Sequence, residues 1–496
     1  MQLRYVNAEP ATHDTELLAL AVVQGTTKAT ASLAALDKAL GGAVGRALAA
    51  GDMRGNAADE VMLYGGKAGP KRVLLLGVGK TKDLTPEVVR RMAARAVRAA
   101  EKLRLESLSV SLDGLPGVAD VARAQAAAEG ATLAAWRFRE LKTPSEDEPA
   151  VDVRAVALIG AGDEEALERG AMTGAIIARA ENLARTLQSR PGNIATPTHL
   201  AEEATRIAGG AGLEITVFDE ARMQKEGMHA ILAVSRGSDE EARFIILEHR
   251  GGAEGEPPLI LAGKGLSFDA GGISLKPPEG MENMKFDMSG GAAVIAAMQA
   301  IAELGVGANV VGLIPSSENM PSGNALKPGD VIRTLGGKTV EVINTDAEGR
   351  LILADALAYG ARMRPAAMID CATLTGAVVI ALGQHASAVL GNDDALVNEV
   401  IAAGEVSGER CWRLPLWDAY KKQLKSTTAD LQNVGGRPGG TLTAALFLSE
   451  FVAETKWAHL DIAGTAYGEG DLPYQRKGGY GVPTRLLIEW VRSRAQ

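Results

Sequence analysis

The sequence predicts an α/β protein of two domains, each a mixed or mostly parallel sheet flanked by helices, the two joined by one long helix. Three observations predict it. Short apolar runs ending in glycine recur along the chain, as buried parallel strands require, with stretches of helical spacing between them. A chain of 496 residues exceeds what a single core supports. A polar, proline-flanked stretch followed by a long amphipathic segment divides the alternation in two.

In chain order, residues 1–163 form the first domain. Its clearest strands are 72–77 and 153–159, and alanine- and arginine-rich segments over 86–104 and 117–137 have helical spacing. Thr143–Pro149 is a loop near its end. Residues 164–190 are the connecting helix, broken by Arg190-Pro-Gly-Asn193. The second domain, 191–496, has strands predicted at 213–218, 243–248, 258–262, 308–314, 366–371 and 457–462. In such sheets ligands bind beyond the carboxyl ends of the strands, and every polar cluster of interest falls at such an end. No repeat of fixed period is present.

Composition narrows the function. A net charge of −9 argues against general affinity for nucleic acid or anionic membrane. The basic run Arg90, Arg91, Arg95, Arg98, Lys102 and Arg104 is the one feature favouring DNA binding, and its helical spacing among alanines reads instead as a solvated helix face. The first ten residues lack a charged-then-apolar leader pattern. The longest apolar run, 366–383, contains Asp370 and glycine and threonine breaks, so it reads as a buried strand and turn, not a membrane span. Two cysteines, Cys371 and Cys411, imply no disulfide framework and a reducing cytoplasm, with Cys371 an inert core thiol.

Several motifs fail on inspection. Gly77-Val-Gly-Lys-Thr81 lacks the earlier glycine of a phosphate loop, because position 74 is leucine, and Gly160-Ala-Gly-Asp-Glu-Glu165 lacks the third glycine of a dinucleotide fingerprint. Both read as strand-to-helix turns. Gly265-Leu-Ser-Phe-Asp269 approaches a nucleophile elbow and ends in the wrong residue. Six scattered histidines provide no imidazole-rich zinc site, so any catalytic metal must be held mainly by oxygen.

One constellation survives. Asn344-Thr-Asp-Ala-Glu-Gly-Arg-Leu351 follows the strand-like run Val340–Ile343 and places Asp346, Glu348 and Arg350 at alternate positions. In an extended chain these would share one face, about 6.5–7 Å apart per pair. Two carboxylates can chelate metal, and an arginine beside them can hold an anion. Upstream, a strand runs into a glycine-rich loop that supplies Lys264, Asp269 and Lys276, and Asp287 follows just before a helix. Each aspartate alone also suits a cap or a turn, Asp346 for the helix near Leu351 and Asp287 for its own helix. Taken together, Asp269, Asp287, Asp346 and Glu348 carry four negative charges, which two divalent cations would neutralise. A lysine there is either a cation spanning carboxylates or a neutral amine ligand, its pKa of about 10.4 lowered by adjacent dications.

These same segments carry a family likeness. The strings Gly263-Lys-Gly-Leu-Ser-Phe-Asp-Ala-Gly-Gly-Ile-Ser-Leu-Lys-Pro277, Met284-Lys-Phe-Asp-Met288 and Asn344–Leu351 resemble the cytosolic leucine aminopeptidase family, as do Asp370–Ala377, Trp457–Gly464 and Gly479-Tyr-Gly-Val-Pro483. The resemblance is strong over 180–496 and one of pattern only before that. It implies a dinuclear site, with zinc or manganese as the expected ions. Lys264, Asp269, Asp287 and Glu348 would hold the tighter ion, and Asp269, Asp346 and Glu348 the exchangeable one. Lys276 and Arg350 would be catalytic without binding metal, Arg350 by holding a bicarbonate proton shuttle. Thr373, Leu374 and Gly376 would contact substrate backbone, and Met284 would line the side-chain pocket. Ala270 departs from the serine of many relatives at a position that binds no metal. The implied activity is release of amino-terminal leucine and other apolar residues from peptides by two-metal hydrolysis with a bridging water, in a cytoplasmic homohexamer. The bare chemistry also fits a two-metal phosphoesterase, and some bacterial relatives add a DNA-binding role.

Overall fold

The structure, a computed structural model, describes all residues except 30, 31, 67, 144–151 and 496. The Thr143–Pro149 loop therefore falls, from position 144, outside the described residues. The chain divides into two compact units, Met1–Arg179 with Glu469–Arg476, and Ala180–Gly468 with Lys477–Gln496. The division lies within the helix Glu164–Ser189, and the return of Glu469–Arg476 to the first unit has no signal in the sequence.

The first unit is a six-stranded sheet of β1 (Gln2–Val6), β2 (Leu18–Val22), β3 (Glu60–Tyr64), β4 (Arg72–Gly77), β5 (Ser107–Ser111) and β6 (Ala155–Ile159). Its order is β1-β6-β5-β2-β4-β3, parallel except where β3 meets β4. Leu74, Leu76, Val110 and Leu158 are fully or almost fully buried on this sheet, which explains the unbroken apolar runs.

The basic run lies on and just past the helix Pro86–Lys102 and is a solvated face only in part. Arg90 is buried between Glu87 and Glu129, its Nη2 2.7 Å from the Glu129 carboxylate. Arg91 donates to Glu87 at 2.7 Å, Arg95 to Glu60 at 2.9 Å and to three backbone carbonyls, and Arg98 to the carbonyls of Pro473 and Gln475. The helix presents small alanines to its neighbours, so long guanidinium stems reach past them to acceptors behind. Arg91, Lys102 and Arg104 remain exposed.

The strands of the second unit are β7 (Glu214–Phe218), β8 (Arg243–Arg250), β9 (Leu259–Gly263), β10 (Gly265–Asp269), β11 (Asn309–Asn319), β12 (Val331–Arg333), β13 (Thr339–Glu341), β14 (Ala367–Ala372), β15 (Ser387–Gly391), β16 (Cys411–Arg413), β17 (Leu431–Gln432), β18 (Trp457–Asp461) and a two-stranded pair, β19 (Tyr467–Gly468) and β20 (Gly478–Gly479). Its main sheet runs β16-β15-β18-β14-β9-β11-β8-β7, with β10 also on β11. The centre, β18-β14-β9-β11, is parallel. β7, β8 and β15 join antiparallel to a neighbour. A small ribbon of β12, β13 and β17 stands apart. No helix among the described residues is long and apolar enough to cross a membrane.

Candidate active site

The carboxyl ends of the central parallel strands open into a cleft of about 350 Å³. All eleven residues singled out in the sequence line it: Lys264, Asp269, Lys276, Met284, Asp287, Asp346, Glu348, Arg350, Thr373, Leu374 and Gly376. Lys264 directly follows β9. Asp269 ends β10, which is a strand and not the loop expected from its glycines. β11 is long enough that its second half pairs with β10 after β9 has ended. Gly271 and Gly272, at φ 87° and 63°, then reverse the chain and return Lys276, whose N–H donates to the Ala270 carbonyl.

The extended geometry expected over 346–350 does not form. Residues 344–348 make a turn, Glu348 already has helical φ and ψ, and the helix Gly349–Arg362 begins at once. The turn is pinned from both sides. Thr345 Oγ1 donates to the Gly271 carbonyl at 2.7 Å, and Asn433 Oδ1 accepts from the Ile343 N–H at 2.8 Å. The carboxylates still converge, with oxygens of Asp269, Asp346 and Glu348 all within 4.8 Å of one another. Neither aspartate serves as a cap. The helix at Gly349 has no side-chain cap bond, nor does Ser289–Glu303. Asp287 instead accepts from Lys264 Nζ at 2.6 Å and from Thr373 Oγ1 at 2.5 Å.

Two lysines stand among the acids. Lys264 Nζ is 2.6 Å from Asp287 Oδ2 and 2.9 Å from Glu348 Oε1. Lys276 Nζ is 2.8 Å from Asp269 Oδ2 and contacts Asp346. Burial, then Glu348 and Asp287, push Asp269 up to about 8. Burial likewise raises Asp287 and Asp346. Burial pulls Lys264 down, but Asp287, Glu348 and Asp269 outweigh it and hold the ammonium above its ordinary value. Burial also opposes ionisation of Glu348, and Lys264 and Lys276 keep its carboxyl below the usual range nonetheless. Burial brings Arg350 down to about 10, still a cation at neutral pH.

Four carboxylates in one cleft with two ammoniums, most of them buried, leave excess negative charge that burial disfavours, which is a condition under which buried acids bind metal. The donor set, oxygen-rich with an amine at its edge, fits divalent cations.

Sequence reasoning missed several contributors. Asn319, at the end of β11, donates Nδ2 to Asp269 Oδ1 at 2.8 Å and to the Thr345 carbonyl at 3.0 Å, tying two acidic segments together. The carboxyl-end rule could have flagged it. The Asn433 carbonyl accepts from Arg350 Nη1 at 2.7 Å, with no local signal in its surroundings. Ala463 and Tyr467 also line the cleft, and the Tyr467 ring stacks on Phe286 with centroids 4.6 Å apart.

The catalytic domain of the cytosol aminopeptidase family matches residues 182–488, and the N-terminal domain of the same family matches 19–145. A probable cytosol aminopeptidase of Geobacter sulfurreducens is 46% identical over 469 residues, covering 93% of each chain. One from Acidithiobacillus ferrooxidans is 44% identical over 504 residues, covering 100% of this chain and 99% of its own. Among solved structures, the bottromycin maturation enzyme BotP in complex with manganese superposes with a TM-score of 0.86 at 36% identity, covering 97% of this chain and 100% of its own. A variant of tomato leucine aminopeptidase gives 0.89 at 32% identity, covering 99% and 96%. The chain belongs to the cytosol aminopeptidase family and is a metal-dependent aminopeptidase.

Proposed function

We propose that this aminopeptidase uses two divalent ions and releases amino-terminal leucine and other apolar residues from peptides. Lys264, Asp269, Asp287 and Glu348 would hold the tighter ion, and Asp269, Asp346 and Glu348 the exchangeable one. The observation that carries this reading is the convergence of four carboxylates and Lys264 from separate segments on one centre. When bound, the ions would supply Lewis acidity and a water of lowered pKa.

The chain's own groups account for the rest. Lys276, held between Asp269 and Asp346, would bring its ammonium to a scissile carbonyl oxygen as that oxygen gathers negative charge. Arg350 cannot act as a base, since its guanidinium stays protonated, so its use is to hold an anion. Bicarbonate suits that place, and its chemistry is proton carriage between water and the leaving amine. The turn from Thr373 to Gly376 offers backbone groups to an extended peptide. Met284, Ala463 and Val379 give an apolar wall for its first side chain.

Manganese is the first ion to test, because a relative is known in complex with it; zinc is the alternative. A cytoplasmic homohexamer belongs to the same proposal, and the mass in solution tests the assembly. Chelated protein should regain hydrolysis of leucine p-nitroanilide when manganese, zinc, cobalt or magnesium is returned. Cleavage of p-nitrophenyl phosphate alone would overturn the assignment.

A further inference from the structure

Part of the cleft is built where two neighbouring strands stop together. β14 and β18 are parallel partners, and their last paired residues are Ala372 and Asp461. The chain leaving β14 makes the 373–376 turn, the chain leaving β18 carries Ala463, and both line the cleft. Under the proposed reading these two stretches have different tasks. The turn offers backbone groups to the peptide, whereas Ala463 belongs to the apolar wall that receives its first side chain.

Asp461 bonds to both stretches, and its side chain is fully buried. Oδ1 accepts from the Leu374 N–H and from the Ala463 N–H, each at 3.2 Å, and Oδ2 accepts from Thr375 Oγ1 at 2.6 Å. Three donors thus meet one carboxylate out of solvent, where an unmet donor is costly. The third donor extends the hold. Thr375 caps the helix Gly376–Leu382 by accepting from the Val378 N–H, and Val379 of that helix is part of the same apolar wall. The other end of the turn is held independently. The Thr373 carbonyl accepts from Lys264 Nζ at 3.1 Å, and Thr373 Oγ1 donates to Asp287. Thr373 therefore faces the metal cluster, and Asp461 sets what lies beyond it.

We propose that Asp461 is a positioning residue for substrate selection: by bonding Leu374, Thr375 and Ala463 to one carboxylate, it fixes the offset between the place where the peptide backbone is held and the place where its first side chain is received. The inference rests on the reading of the 373–376 turn and Ala463 as substrate-side groups. Preference for a larger apolar side chain over a smaller one depends on that offset, because an added methylene counts only where the wall meets it. Without the carboxylate the two stretches shift separately, and the preference falls while the metal-binding acids keep their places.

The test uses the full-length, manganese-loaded enzyme with leucine p-nitroanilide and alanine p-nitroanilide as paired substrates. Asp461→Ala and Asp461→Ser are too short to bridge the two stretches. In each, the ratio of kcat/KM for leucine over alanine should fall towards one by about tenfold, comparable with the worth of one methylene in an apolar pocket. KM for the leucine substrate should rise, and two metal ions per chain should remain. Asp461→Asn keeps a carbonyl oxygen for both N–H groups, and its amide can donate to Thr375 Oγ1, which then turns its proton to Thr441 Oγ1, 2.8 Å away. That variant should recover most of the preference. A merely structural role would lower the active fraction and leave the ratio unmoved. The proposal is overturned if folded Asp461→Ala or Asp461→Ser keeps the ratio within about twofold of wild type, or if the variants lose metal in proportion to activity. It is overturned equally if Asp461→Asn loses the preference as fully as they do, and that variant decides alone should neither small one fold. Wild type tests the underlying reading separately: a wild type without hydrolysis or without preference for leucine refutes that reading, whereas a selective wild type with equally selective variants refutes only the role of Asp461.

Discussion

Lys264 lies across the space that a side chain on Gly349 would fill: an added Cβ would stand 2.6 Å from its Cε and 2.7 Å from its Nζ. The glycine that opens the helix therefore admits the lysine to its place between Asp287 and Glu348. Gly349→Ala should push the amine out of the cluster, weakening the tighter metal site and lowering kcat by about tenfold or more. Metal per chain, determined by mass spectrometry beside the kinetics, checks this. Unchanged metal content with normal turnover would show that Lys264 is not needed there.

Glu348 is expected to bridge both ions, and Asn319 Nδ2 holds its second oxygen at 3.3 Å. Glu348→Gln keeps the shape and removes the charge. We expect at least about a 10²-fold loss of activity and fewer than two ions per chain. Near-normal turnover would refute the bridging role.

Lys276 separates electrostatic assistance from metal binding. Lys276→Ala should lower kcat and leave two ions bound, because the acids it touches remain. If the variant instead loses an ion, the lysine is a ligand.

Asp355 gives a pH prediction away from the cleft. Its carboxyl is wholly buried and accepts the N–H groups of Ala230, Ile231 and Leu335 at 2.9, 3.1 and 2.7 Å. Burial outweighs these donors and pushes it from 3.8 up to about 7. A folded-state value above the unfolded one gives stability that is complete below the unfolded pKa and lost as pH rises through the folded one. The urea midpoint of wild type, relative to Asp355→Asn, should therefore fall between about pH 4 and 7. A pH-independent difference between the two proteins would contradict it.

The apolar strands were legible because burial on both faces leaves an unbroken hydrophobic run. The expectation at 72–77 coincides with β4, and those at 243–248 and 366–371 fall within a residue or two of β8, which is antiparallel to its neighbours, and β14. β1, with its polar Gln2 and Arg4, carries no such run and went unread. At the site, residue types and order revealed the cluster, but not how it is built. Alternation along an extended chain was the wrong geometry for 346–350, since the turn is imposed by Thr345 and Asn433 through contacts distant in sequence. Asn433 was invisible for a related reason: a lone asparagine has no local pattern, and its importance lies entirely in what it touches.

The inward-turned arginines of Pro86–Lys102 bear on how that helix can be probed. Arg90 and Glu129 are each at most 2% exposed in their side chains, so removing Arg90 takes from the buried Glu129 the guanidinium it pairs with, a cost of about 3–5 kcal/mol. An alanine or charge-reversal scan along this stretch would thus report on whether the unit stays folded. Read as a map of ligand contacts, the same scan would mistake collapse for lost recognition.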